Sequence, residues 1–109
     1  MTTLLALYRR PDGGDQALAM FLRRYHAEHL PLVAATPGLR ATRVQTVTQA
    51  LGAETDLVLI TAMDFDDRAA LDAGLAADPM RAAGRILREI APGLATFLVV
   101  EDAPDLLGG

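Results

Sequence analysis

Cysteine is absent from the 109-residue sequence. That excludes a disulfide framework, a thiolate nucleophile and any cysteine-ligated metal, and it fits a reducing, cytoplasmic setting. Histidine is scarce, with His26 and His29 the two copies. Lysine is missing too, so all ten basic residues are arginines, a bias that fits a GC-rich bacterial genome. Fourteen acids outnumber them, for a net charge of −4 and a pI near 4.9. The arginines are scattered along the chain, whereas a sequence-independent nucleic-acid binder needs a basic face. Nucleic acid is therefore not an expected partner. No apolar run approaches the roughly 20 residues of a transmembrane helix, so no membrane partner is expected either. The opening MTTLLALYRRPDGG has no basic residue ahead of its short apolar run and does not read as a signal peptide.

What the chain does have is apolar residues, 51% of the total, ample for the core of one domain. Residues 1–102 read as a single domain and 103–109 as a C-terminal tail. Thr2 to Tyr8 reads as a strand, and Pro11-Asp12-Gly13-Gly14 as a turn. Asp15 is placed to cap the helix that follows. Leu18, Phe21, Leu22, Tyr25, Leu32 and Val33 recur at helical spacing. Pro31 predicts a kink or division, because it lacks an N–H and crowds the carbonyl of Ala27. Leu30 ahead of it is pushed away from helical angles. Leu39 to Leu51, rich in Thr and Val, predicts a long second strand, and Leu57 to Phe65 a third. A short helix capped by Asp66 or Asp67 follows, then a helix with Asp78 as its cap and Pro79 as its first residue that runs to about Ile90, then a last strand. TPGLRATRV aligns on APGLATFLV, and LLAL at Leu4 aligns on LITA at Leu59 with the same offset. A βαββαβ order with two matching halves predicts an α+β, ferredoxin-like sandwich with a four-stranded antiparallel sheet.

One layer of helices covers one face of such a sheet, so the free face should be polar. Here both faces are apolar: Leu57, Leu59 and Met63 alternate with Val58, Ile60 and Ala62, and Leu4 and Ala6 with Leu5 and Leu7. Each large side chain left bare forgoes roughly 1.5–3 kcal/mol of burial. The expected remedy is a homodimer whose sheets face each other, forming a dimeric α+β barrel with the helices outside.

LYRRPD at the end of the first strand, FLRRYHAEHLPLV in the helix and PGLR opening the second strand resemble the EthD family, most clearly over residues 4–44. The family name comes from an operon for degrading ethyl tert-butyl ether. The resemblance implies a small dimeric barrel with an apolar cavity, and not one reaction. Related barrels include muconolactone-type isomerases, small quinone-forming monooxygenases, polyketide cyclases or dehydratases, and haem-binding enzymes. Of the matching positions, His29 with Pro31-Leu32 behind it is the family-like histidine.

At about 100° per residue, His29 projects near the centre of the Leu18–Leu22–Tyr25–Leu32 stripe, and His26 about 60° to one side. His29 should therefore face the sheet and His26 the margin. A buried imidazole needs a hydrogen-bond partner, with the Ala27 carbonyl and Tyr8 as candidates. Two readings stay open: a satisfied core histidine, or a general acid–base at a cavity mouth. No metal site is expected, since zinc takes three or four protein ligands and the chain has two histidines and no cysteine. Haem needs one axial histidine, but nothing else in the sequence asks for it, so no cofactor is expected.

The expected catalytic set is His29, Tyr8 and His26, with Tyr25, Arg40 and Arg43 as ligand-binding residues. Solvation is the plain alternative for the arginines, and core packing for Tyr25. Asp64, Asp66 and Asp67 form a carboxylate cluster that capping explains. The expected function is a cofactor-free enzyme of isomerase, cyclase, dehydratase or small monooxygenase type. Its substrate would be a small apolar or aromatic catabolic or polyketide-like compound. The alternative is a non-catalytic binding or accessory protein of an oxidative degradation pathway.

Overall fold

A computed structural model describes residues 1–108. Its elements run β1 (Thr2–Arg9), α1 (Gly14–Arg24), a π-helical turn (Tyr25–His29), α2 (Leu30–Ala34), β2 (Ala41–Thr46), β3 (Leu57–Phe65), α3 (Arg68–Ala76), α4 (Asp78–Ile90) and β4 (Ala95–Glu101). This is the expected βαββαβ order. The strands pair antiparallel in the order β2-β3-β1-β4. Of the tail, Pro104–Leu107 forms an exposed 3-10 turn, and Gly109 lies outside the described residues. No helix among those residues is long and apolar enough to cross a membrane.

The internal repeat is a structural one. Leu4 and Leu59 are both buried on the helix side of the two central strands. Gly38 and Gly93, each after a proline, both take positive φ (84° and 71°) where the chain turns into an edge strand. Only glycine adopts that backbone freely.

The molecule measures 44 × 39 × 18 Å. Eighteen ångströms is room for one sheet and one layer of helices, each about 10 Å across. The core lies between them. Ala6, Tyr8, Leu59, Met63 and Phe65 from the sheet meet Phe21, Tyr25, Val33, Leu71, Ala83 and Leu87 from the helices. Leu5, Leu7, Ile60 and Ala62 point to the other face and are only half-buried, while Leu98 and Val100 there are 43% and 41% exposed. The two-sided apolar pattern is thus real, and the second face has no cover among the described residues.

Four local expectations are corrected. Asp15 does not cap α1. The cap is Gly13, and Gly13 and Gly14 both take positive φ (108° and 75°), so backbone geometry rather than a side chain starts the helix. Asp15 instead pairs with Arg10. Pro31 does not divide the helix, and Leu30 keeps helical angles (φ −60°, ψ −37°). The preceding turn widens, and the Leu30 N–H bonds the Tyr25 carbonyl five residues back. A π-turn relieves the crowding between a proline ring and the carbonyl four residues earlier. Asp78 is the first residue of α4 rather than its cap, which is Ala77. Finally, β2 ends at Thr46, not Leu51. Val47 makes one further bond to Val58 (2.9 Å), one residue from the start of β3 at Leu57, and the pairing ends there. Asp67 caps α3 as expected, accepting from the Ala70 N–H at 2.8 Å.

Candidate functional site

Between α4 and the β1–β4 half of the sheet lies a cavity of about 630 Å³, within the range of small-ligand pockets. Its floor is one rung of the sheet: Met63, Leu4 and Val99 are neighbours in register across β3, β1 and β4. Tyr8 and Phe97 extend the floor, His29 closes one side, and Leu75, Met80 and Leu87 supply apolar walls. The space exists because α4 presents small residues here, Ala83 and Gly84, and because β4 is an edge strand that the helices do not cover. Phe97 is 50% exposed as a result.

The widened turn sets the orientation of His29. Its ring stacks on Tyr25 with centroids 4.6 Å apart and planes 28° from parallel. Nδ1 lies 3.1 Å from the carbonyl oxygen of Ala83. A carbonyl can only accept, so Nδ1 carries the hydrogen and Nε2 of the neutral ring holds a bare lone pair. No fully buried side-chain nitrogen or oxygen among the described residues lacks a partner, and His29 bonds the chain only through Nδ1. Nε2 is therefore not sealed in the core, although the residue as a whole is only 4% exposed. His29 is one of the residues that line the cavity. Burial holds the His29 pKa below its ordinary 6.5, and the Ala83 carbonyl, which favours the protonated ring, offsets only part of this. At neutral pH the imidazole is uncharged and able to accept a proton.

Tyr8 belongs to a buried hydroxyl chain. Tyr25 Oη lies 2.6 Å from Thr61 Oγ1 and donates to Tyr8 Oη at 3.1 Å. With Tyr25 donating onward, Thr61 must donate to Tyr25. Tyr8 then accepts, and its own hydrogen has no acceptor among the described residues. Phe21, Tyr8 and Tyr25 pack edge-on or tilted with centroids 5.1–5.7 Å apart, which fixes the Tyr8 ring. Burial pushes the Tyr8 phenol far above its ordinary pKa, and neighbouring Tyr25 adds to the rise. Tyr8 thus stays un-ionised as a hydrogen-bond donor; it is fully buried, at the inner wall of the same cavity as His29.

The structure brings His29 and Tyr8 together at this cavity, with Tyr25 behind them in the core. It does not bring the others. His26 is exposed on the outer side of the turn. Arg40 pairs with Asp66 at 2.7 Å, and Arg43 stands opposite Ala62 on the edge strand β2. Neither arginine lines the cavity. The Ala27 carbonyl is not the partner of His29; Ala83 on α4 is, a contact between elements that no local pattern announces. Thr61 and the arginines of α4, Arg81, Arg85 and Arg88, line or support the site and were missed. The spacing of those arginines was the available signal. No group of three histidine, aspartate or glutamate side chains gathers to hold a metal among the described residues.

One helix layer on a four-stranded antiparallel sheet, with a cavity between them, defines a ferredoxin-like α+β protein. No protein-family model matches the chain, and no curated protein matches it. Solved structures do. An ethyl tert-butyl ether D (EthD) family protein from Bacillus halodurans aligns at 30% identity and a TM-score of 0.84, over 94% of this chain and 99% of that one. The chain belongs to the EthD family. A dimeric protein of ferredoxin-like fold from Bacteroides fragilis aligns at 18% identity and a TM-score of 0.70, over 93% and 95% of the two chains. SnoaB, a cofactor-independent oxygenase from Streptomyces nogalater, aligns at 13% identity and a TM-score of 0.63, over 93% and 91%. These last two share the fold alone.

Proposed function

We propose that the chain forms a homodimer and that its cavity binds a small apolar or aromatic compound and moves a proton on it without a cofactor. The observation that carries this is the tautomer of His29. Nδ1 is pinned by Ala83, which leaves the unprotonated Nε2 free for the cavity that His29 lines beside an apolar floor. Nε2 takes a proton from an acidic carbon or phenol, and the Tyr8 hydroxyl donates to the oxygen on which charge develops. Isomerisation, cyclisation and dehydration share that first step, and so does oxygen chemistry on an activated phenol. SnoaB shows a cofactor-independent oxygenase on this fold. His26, Arg40 and Arg43 lie outside the proposed machinery, and Tyr25 supports it by orienting Tyr8.

The homodimer is proposed from the uncovered sheet face, and a dimeric relative of the same fold supports it. Apposed free faces remove Leu98 and Val100 from water and leave the cavity on the outer, helix side of each sheet.

Deuterium uptake from heavy water into enolisable aryl ketones tests the chemistry. The wild-type protein should accelerate uptake at the acidic carbon. His29→Gln should abolish the acceleration, and Tyr8→Phe should reduce it, with the fold unchanged by circular dichroism. Acceleration that survives His29→Gln would remove His29 as the base. A non-catalytic binding role is the second reading. It is favoured by the neutral partner of His29, a backbone carbonyl where a catalytic histidine often has a carboxylate. Ligand binding with no catalysed exchange would decide for it.

A further inference from the structure

The mouth of the cavity has a charge that the proposed chemistry does not use. Arg81, Arg85 and Arg88 stand at positions i, i+4 and i+7 of α4, which form one stripe on a helix, and all three line the cavity. None makes an ion pair or a side-chain hydrogen bond with a described residue. Arg10, Arg24, Arg40 and Arg68 each hold a carboxylate. Acids outnumber bases in this chain, so partners are plentiful, yet no carboxylate lines the cavity. The nearest acid in sequence, Glu89, is turned away to Arg24 at 2.9 Å. Like charges at these spacings destabilise a helix slightly.

Three guanidinium groups above an apolar floor make a site with two kinds of surface. We infer that the natural ligand is an amphipathic anion: an aromatic or aliphatic body that fills the space over Met63, Leu4 and Phe97, carrying a carboxylate or similar acidic group held at the mouth by Arg81, Arg85 and Arg88. Guanidinium recognises such groups through paired N–H donors. A one-signed rim beside low-dielectric walls also concentrates anions at the entrance. The anionic group anchors one end of the ligand and presents the other to His29 Nε2. This inference rests on the cavity being the ligand site, as proposed above.

Two fluorescent probes with one hydrocarbon skeleton test it: anilinonaphthalenesulfonate, which is anionic, and N-phenylnaphthylamine, which lacks the sulfonate. The triple variant Arg81→Gln, Arg85→Gln, Arg88→Gln should weaken the sulfonate dye about ten-fold or more and the neutral dye less than about two-fold, since each exposed charge contributes less than a factor of ten. Arg23→Gln, away from the cavity, should change neither. Added salt should weaken only the sulfonate dye. A separate variant, Gly84→Phe, fills the cavity. A β-carbon at Gly84 meets nothing closer than the flexible tip of Arg88 at 3.7 Å, so a side chain can start there without a backbone clash, and circular dichroism checks that the variant keeps its fold. If Gly84→Phe expels both dyes but the triple variant treats them alike, the anion inference is overturned and the cavity reading stands. If both dyes still bind to Gly84→Phe, they bind elsewhere, and the cavity reading falls together with the inference.

Discussion

Two glycines lie inside helices, Gly74 in α3 and Gly84 in α4, and the same substitution should affect them in opposite directions. Replacing a helical glycine by alanine gains about 0.5–1 kcal/mol through the backbone. At Gly84 nothing opposes that gain, because the new methyl finds only the movable end of Arg88 at 3.7 Å. At Gly74 the methyl arrives 2.7 Å from Cε1 and 3.2 Å from Cζ of Phe65, and 3.3 Å from the Thr36 methyl. Phe65 is fully buried and has no room to retreat. Overpacking of this kind costs about 1–3 kcal/mol. Gly84→Ala should therefore be more stable than the wild type by about 0.5–1 kcal/mol, and Gly74→Ala less stable by about 1–2 kcal/mol. At roughly 5 °C per kcal/mol, the two melting temperatures should stand about 10 °C apart. Urea unfolding at one fixed protein concentration measures both, since dimerisation would otherwise shift the midpoints; equal m-values confirm that stability alone has changed. Gly74→Ala matching the wild type would refute the contact with Phe65. A destabilised Gly84→Ala would refute the claim that this glycine serves the cavity and not the packing.

Acid should weaken the fold in two stages. His29 has a lowered pKa in the folded chain, so the unfolded chain binds the proton more readily; stability is full above pH 6.5 and falls as pH drops through that value. Urea midpoints in His29→Gln should lose this slope, and an unchanged slope would contradict the assignment. The lowered carboxyls of Glu28 and Asp66, beside Arg24 and Arg40, act only in the second stage, as pH falls through the carboxylate range. On the free sheet face, Ile60→Glu should turn a dimer into a monomer in sedimentation, because a charge buried between two sheets costs several kcal/mol (of order 2–7 even for a neutral polar group). A dimer that persists would place the interface elsewhere. Asp67→Ala removes the cap of α3 and should cost about 1 kcal/mol. No loss in urea unfolding would mean that water or a neighbour replaces the carboxylate.

The fold was legible because its signals are local. Apolar and Thr- or Val-rich strand runs, the two Pro-Gly turns and the Asp67 cap each act within a few residues, and the matching halves joined them into one topology. The inward turn of His29 was legible for the same reason, since helical spacing alone aims it at the sheet. Where the reading failed, a competing local force or a distant partner decided the outcome. Asp15 yielded to two glycines with positive φ, and Pro31 was absorbed by a widened turn instead of a break. β2 stopped where its partner strand began, a length that its own Thr and Val residues do not encode. The Ala83 carbonyl that fixes the His29 tautomer comes from another helix. Arg40 and Arg43 looked like the ligand-facing arginines because they lie near the family-like motif. The cavity instead opens beside α4, whose arginines no motif had singled out.

The central claim is that neutral His29 presents an unprotonated Nε2 to the cavity. Ring-nitrogen chemical shifts of isotope-labelled histidine test it directly, with two residues to resolve and His26 as the exposed reference. His29 should carry its hydrogen on Nδ1, titrate below its ordinary 6.5, and shift at Nε2 when anilinonaphthalenesulfonate fills the cavity, while His26 should not respond to the dye. A His29 protonated on Nε2, or one blind to the dye while the dye is bound in the cavity, would contradict it.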